Sequence, residues 1–318
     1  MNAPVKPTMR LQDGAGLLSL AALGGASFLF IRVAAPALGP FMLMETRVAI
    51  AALVLMTVAK LTGQVVPFRA YWSRYLVLGA LYGAIPYALI AVAALHIPAS
   101  LAAVLNATTP LFTAVVSVFW LGEALSARQI AGLLLGLTGV AVVVGWTPGS
   151  VHGAVLPWAL CMLLSSLFYA LGSVFAKKAL QGVPAIAVAV GQQLGAVVFL
   201  LPGALAFRPA SLPSVRAVIA LLLLAVLATA LTSHLFFGLV AKIGPTRTAS
   251  VLFMVPLVGI VLGHLFLAEP IGLSILTGLG VILVGVFLVI GGSANRKEFV
   301  NLPKNERKNA AHGPRSGR

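Results

Sequence analysis

The chain has 318 residues, 60% of them hydrophobic and only 8% charged, with 21 Lys plus Arg against 6 Asp plus Glu and a net charge of +15. A soluble domain carries about a quarter charged residues and needs them as a hydrated skin, so this composition excludes an ordinary water-soluble fold. A mean hydropathy of +1.08 points to a bilayer as solvent.

Taken in chain order, residues 1–13 carry Lys6 and Arg10 ahead of a first apolar stretch, 14–32, that is long enough to span rather than to serve as a cleavable signal. Nine further candidate helices follow at 40–60, 75–95, 98–120, 126–146, 154–176, 184–206, 213–239, 245–267 and 271–291, with Pro and Gly at the joints. Continuous apolar runs exclude the alternation of a β-barrel, so an all-α polytopic membrane protein of ten transmembrane helices is expected. The second span carries Glu45 and Arg47, about 200° apart on a helix and so unable to pair with each other. Each needs a partner or water in the membrane, which makes both functional candidates: Arg47 for a carboxylate, Glu45 for a cationic group or a coupling proton. Interfacial solvation is the structural alternative.

The third span brings Tyr82, Pro86 and Tyr87, suited to an aromatic gate or to interfacial anchoring. In the fourth, Asn106, Thr109, Thr113 and Ser117 fall on one helical face around Pro110 and form a polar stripe. Its hydroxyls either line a cavity or bond back to their own helix. The sixth offers Ser165, Tyr169 and Ser173 on one face, the seventh Gln192 and Gln193, and the eighth Thr229, Ser233 and His234. In the ninth, the face around Pro256 reads Leu252, Val255, Gly259 and Gly263, which is apolar and narrow. Glu123 and Glu269 each end one span and precede the next, where a carboxylate suits the start of the following helix, so structural roles are expected, with Ser126 and Gln129 spaced as a capping box.

With the N-terminus inside, 17 of the 21 Lys and Arg residues fall in inner loops, the N-terminus and the tail, which by the positive-inside rule predicts both termini in the cytoplasm. The basic segment 293–318 is expected to be disordered and to serve as a stop-transfer flank in reach of anionic lipid rather than to bind nucleic acid. Cys161 is the single cysteine and the histidines lack metal-ligand spacing, so neither a metal nor a cofactor is predicted.

Sliding the chain by 146 residues sets Pro110-Leu111 on Pro256-Leu257, Leu121-x-Glu123 on Leu267-x-Glu269, and Gly132 and Gly139 on Gly278 and Gly285. Five helices per half is an odd number, so the two copies, 14–146 and 154–291, would be inverted, the usual plan of alternating-access transporters. Together with Gly25-Ala26-Ser27-Phe28, Arg32, Arg47, Leu121-Gly122-Glu123, Tyr169-Ala170 and Leu267-Ala268-Glu269-Pro270, this pattern resembles the EamA-type branch of the drug/metabolite transporter superfamily. The resemblance implies ten spans, a central cavity and export of small metabolites or drugs across a prokaryotic inner membrane, often driven by an ion gradient. Ala268 stands where Gly122 does, and Gly191 where Arg47 does, so the halves are not equivalent in function.

The competing classes are a lipid or lipid-linked sugar flippase, a channel and an intramembrane enzyme. The sequence has a single Asp, Asp13, and no Gly-x-Ser-x-Gly, His-Glu-x-x-His or phosphate-binding Lys loop, which disfavours the enzyme and direct use of ATP. The expectation is a secondary transporter, monomeric or homodimeric, whose cavity draws on Arg47, Tyr82, Tyr87, Asn106, Thr109, Thr113, Tyr169, Ser173, Gln192, Gln193, Ser233 and His234. Glu45 is the coupling candidate, and Pro110 and Pro256 are the breaks.

Overall fold

A computed structural model describes residues 11–122, 125–144, 155–209, 212–236 and 254–300, which form ten helices. They are α1 (Leu11–Leu38), α2 (Pro40–Leu61), α3 (Phe68–Ala93), α4a (Ala99–Asn106) with α4b (Thr109–Leu121), α5 (Ala127–Val144), α6 (Leu156–Ala179), α7 (Ala185–Ala206), α8 (Val215–Phe236), α9 (Val255–Leu267) and α10 (Leu273–Val300). Eight are long and apolar enough to cross a membrane; α9 and the apolar part of α10 are shorter among the described residues. The outward faces carry large apolar side chains such as Leu53, Phe119, Leu137, Val198 and Phe287, all more than half exposed, as lipid contact requires.

Helix edges differ from expectation where the sequence signal is weak. α1 runs on past Arg32 to Leu38 despite Pro36, and only Gly39, at φ 71°, separates it from α2, a backbone angle that favours glycine. α3 starts at Phe68, so Arg69 and Arg74 lie on a helix rather than in a loop. α10 continues to Val300, past Ser293, so the basic segment begins as helix.

The packing is two-fold. α5 lies against α10 and α2 against α7, each pairing a helix with its own copy in the other half, while α4a packs on α9, the copy of α4b. The remaining major contacts come in mirror pairs: α1 with α9 and α6 with α4b, α3 with α7 and α8 with α2, α3 with α6 and α8 with α1. Glycine makes the closest of these approaches possible. A Cβ on Gly132 would sit 2.5 Å from the Gly285 carbonyl oxygen, and one on Gly139 2.9 Å from that of Gly278. Exchanging 132 with 278 and 139 with 285 turns one contact into the other, so α5 and α10 cross antiparallel as inverted copies do.

Glu269 does not serve the helix that follows it. Its carboxylate accepts from the Ala99 and Ser100 N–H groups at 2.7 and 3.0 Å and from the Ser100 hydroxyl at 2.6 Å, capping α4a in the opposite half. Glu123 lies outside the described residues. The Ser126–Gln129 box forms, with the Ser126 N–H donating to Gln129 Oε1 at 2.9 Å and the Gln129 N–H to Ser126 Oγ at 3.3 Å.

Candidate functional site

Three of the spanning helices are interrupted at mid-depth, and the polar residues collect at the interruptions. α3 contains a π-helical turn at Ala80–Ala84 and α8 another at Val226–Leu231, which the 146-residue offset superposes from their first residues. Such turns insert a residue into the hydrogen-bond ladder and recur at functional sites. α4 breaks between Asn106 and Thr109, immediately before Pro110, which then stands in the first turn of α4b, where its missing N–H costs nothing. Pro256 occupies the same place in α9.

Arg47 occupies the centre. It is 5% exposed, its Nε donates to Thr229 Oγ1 on the α8 π turn at 2.7 Å, and its Nη1 meets Met44 Sδ at 3.5 Å. The guanidinium lies 4.0 Å from the centroid of the Tyr87 ring, a cation–π geometry. Tyr169 of α6 stands edge-on to both Tyr87 and Tyr82, with centroids 6.2 and 5.0 Å apart. Arg47 and these three tyrosines thus form one continuous cluster drawn from α2, α3 and α6. Among the described residues no carboxylate pairs with Arg47. A buried guanidinium whose neighbours are a hydroxyl, a thioether and a ring keeps donors for an incoming anion.

Gln192 joins this cluster from α7: its Nε2 donates to the Tyr82 carbonyl at 3.2 Å, inside the α3 π turn. The neighbouring Gln193 is fully buried, and neither its Oε1 nor its Nε2 has a partner among the described residues. The Asn106 Oδ1 at the α4 break is likewise buried and unpaired.

Other predicted lining groups are spent locally. The Thr109 hydroxyl donates to the Asn106 carbonyl at 2.7 Å, the Thr113 hydroxyl to that of Thr109 at 2.9 Å and the Ser173 hydroxyl to that of Ala170 at 2.9 Å. These three bond back to their own helices, leaving only acceptor lone pairs to a ligand. Ser165 reaches across to the Pro86 carbonyl at 3.3 Å and ties α6 to α3. Ser233 is half-buried and His234 exposed, one helical turn beyond Thr229. Glu45 is 8% exposed, its Oε2 is without a partner, and as the helical spacing predicts it does not pair with Arg47. On the α9 side a Cβ at Gly259 would come within 2.5 Å of the Ala103 Cβ, so the narrow face is a close contact with α4a.

The π turns and the role of Met44 were not legible in the sequence. Thr229 was visible only as a polar residue in an apolar run, and nothing distinguished it from Ser233.

The EamA-like transporter family model matches residues 14–145 and 156–291, one copy in each half. The uncharacterized transporter YvbV of Bacillus subtilis (strain 168) is 32% identical over 79% of this chain and 82% of its own. The uncharacterized inner membrane transporter YedA of Escherichia coli (strain K12) is 26% identical over 87% of this chain and 90% of its own. A protein of Salmonella typhimurium named a probable amino-acid metabolite efflux pump is 28% identical over 63% of this chain and 70% of its own. One solved crystal structure, 18% identical, superposes with a TM-score of 0.64 over 88% of this chain and 97% of its own, a likeness of fold alone.

Proposed function

The chain belongs to the EamA-like transporter family, and from that premise we propose that it exports small metabolites, amino-acid-like compounds or drugs, by alternating access around the Arg47–tyrosine cluster. The observation that carries this reading is the buried Arg47 guanidinium, held by Thr229 and Tyr87 and lacking a carboxylate partner among the described residues. A cation of that kind in a low-dielectric interior is stable when it meets an anion or water, and a substrate carboxylate supplies the first. Tyr82, Tyr87 and Tyr169 give an apolar and polarisable wall for the rest of the molecule. The Asn106 Oδ1 and the Gln193 amide supply hydrogen-bonding groups that await a ligand or water. The Salmonella relative, named a probable amino-acid metabolite efflux pump, points to the same substrate class.

Glu45 is the group we assign to coupling, because its buried, unpaired carboxylate oxygen can take and release a proton without breaking an ion pair. Both termini lie in the cytoplasm of a prokaryotic cell on this reading, since Lys60, Arg69, Arg74, Arg128, Lys177 and Lys178 gather at one end of the bundle.

The test is counterflow in proteoliposomes with panels of amino acids, nucleosides and cationic drugs. Saturable exchange of a carboxylate-bearing solute that is lost in Arg47→Gln is expected. Lipid scrambling without solute exchange would replace a carrier with a flippase.

A further inference from the structure

The two π turns are each held by a side chain that crosses from the second helix of the opposite half. On one side Arg47 of α2 donates to Thr229, whose own hydroxyl donates to the Leu224 carbonyl five residues back at 2.7 Å. That second bond ties the α8 π turn to the α-helical segment before it, so one hydroxyl joins the turn to the arginine. On the other side Gln192 of α7 donates to the Tyr82 carbonyl within the α3 π turn. The two contacts are images of one another. Arg47 is seven residues into α2 and Gln192 seven into α7, and α2 pairs with α8 as α7 pairs with α3. Setting Pro40 on Pro184 places Arg47 against Gly191, whereas counting from the first helical residue places it against Gln192. Gly191 itself packs on the Tyr75 ring, where a Cβ would come within 2.2 Å.

A π turn holds one residue more than the α-helix allows. Squeezing it out rotates everything beyond by about 100° and moves it by about 1.5 Å. Beyond the α3 turn lies Tyr87, which stacks on Arg47, so the two latches act on the same cluster.

We propose that Thr229 and Gln192 are positioning residues that latch the two π turns, and that opening of the site to one end of the bundle releases one latch while the other holds. This rests on the alternating-access reading above and adds which contact governs which end. Arg47 lies toward the end at which α2 begins, and Gln192 toward the end at which α7 begins. Toward the first end a cleft of about 240 Å³ includes Arg32, Val33 and Arg216 in its lining, and toward the opposite end an outer-face depression of about 320 Å³ is lined by Val116, Phe119, Trp120 and Leu171. Weakening the Arg47–Thr229 latch opens the first end; weakening the Gln192–Tyr82 latch opens the second.

The test needs no substrate. In a Cys161→Ser background, single reporters Val33→Cys and Leu171→Cys are labelled in membranes with a small maleimide, and rates are compared with and without Thr229→Val or Gln192→Leu. Thr229→Val is expected to raise labelling at 33 and lower it at 171, and Gln192→Leu to do the reverse. The ratio of the labelling rate at 33 to that at 171 should change about fivefold, the shift in the two-state equilibrium that one interhelical hydrogen bond of about 1 kcal/mol corresponds to. Thr229→Ser, which keeps the hydroxyl, should restore the original rates and separates the latch from a folding defect. Shifts in the same direction for both variants, or none in protein that elutes as the wild type, would overturn the proposal. Because accessibility is read rather than flux, this result stands apart from the Arg47→Gln transport test.

Discussion

Glu269 and Gly263 provide a test of the fold whose sign can be worked out in advance. The carboxylate is 8% exposed and accepts from two backbone N–H groups and one hydroxyl at the start of α4a. Glu269→Ala removes both acceptor oxygens, and with them all three bonds, at once. A lost helix cap costs about 0.5–2 kcal/mol and a buried orphan donor about 1–3 kcal/mol, so a total of about 2–4 kcal/mol is expected, with some of the loss relieved by water. For Gly263 the added Cβ would stand 2.6 Å from Glu269 Oε2, far inside van der Waals contact. Gly263→Ala must therefore push the carboxylate off its donors, at a cost of about 1–3 kcal/mol. In the Glu269→Ala background the obstacle is gone, and the same methyl should be neutral or stabilising by up to about 1 kcal/mol, because alanine is the better helix former. The sign of the Gly263→Ala effect thus reverses between backgrounds. Thermal unfolding of the four proteins in one detergent closes the cycle. Equal costs of Gly263→Ala with and without Glu269 would refute the cap geometry, as would a Glu269→Ala protein that melts with the wild type.

Three further outcomes follow from the same geometry. Gly139→Val would drive a branched side chain into Ile282 and the Gly278 carbonyl oxygen at the α5–α10 crossing, where even a Cβ meets atoms at 2.7 and 2.9 Å, and should lower the melting temperature sharply; an unchanged melting point would show that these helices do not cross there. Ser126→Ala removes one bond of the α5 capping box and should cost about 1 kcal/mol in the same assay, with Ser126→Thr close to the wild type. Tyr87→Phe keeps the ring under Arg47 and should retain transport of the substrate identified by counterflow, whereas Tyr87→Leu loses a cation–π contact of about 0.5–2 kcal/mol and should reduce kcat/KM by up to about thirtyfold; equal losses in both would assign the hydroxyl, not the ring, the larger part.

Much of the scaffold was legible because the bilayer imposes long apolar runs and the duplication repeats its punctuation. Pro110 marks a real break, Pro256 stands in the first turn of α9, and the glycines at 132, 139, 278 and 285 mark a real crossing. Helix ends were less legible: nothing in the apolar stretch around Arg32 shows that α1 continues to Leu38, because charge at a span end and charge within its last turns look alike in sequence. In the site, Arg47 could be singled out since an ion in a membrane helix is costly, but its partners could not. Thr229 and Gln192 matter through a π turn, a change of hydrogen-bond register that carries no composition signal. For Thr109 and Thr113 the sequence left two readings open, a cavity wall or bonds back to their own helix, and each hydroxyl donates to a carbonyl of the preceding turn.

The two halves agree in what shapes the backbone and differ in what the backbone carries. The π turns, the first-turn prolines and the left-handed residues that end α4b and α9, Gly122 at φ 68° and Ala268 at φ 53°, recur at one offset. Alanine there accepts a strain that glycine avoids, of about 1–2 kcal/mol, and the turn it makes brings Glu269 back against Gly263. Keeping the turn at that cost shows how closely the second copy follows the first. A scaffold built from matched halves gives its two inverted states nearly the same backbone energy, so neither state is favoured by the fold itself. The side chains set the balance: a charged latch at Arg47 against a neutral one at Gln192, and a cleft with two arginines against a depression lined by Val116, Phe119, Trp120 and Leu171. On the alternating-access reading proposed above, an anion bound at Arg47 competes with only one of the two latches and so shifts the balance between the two states.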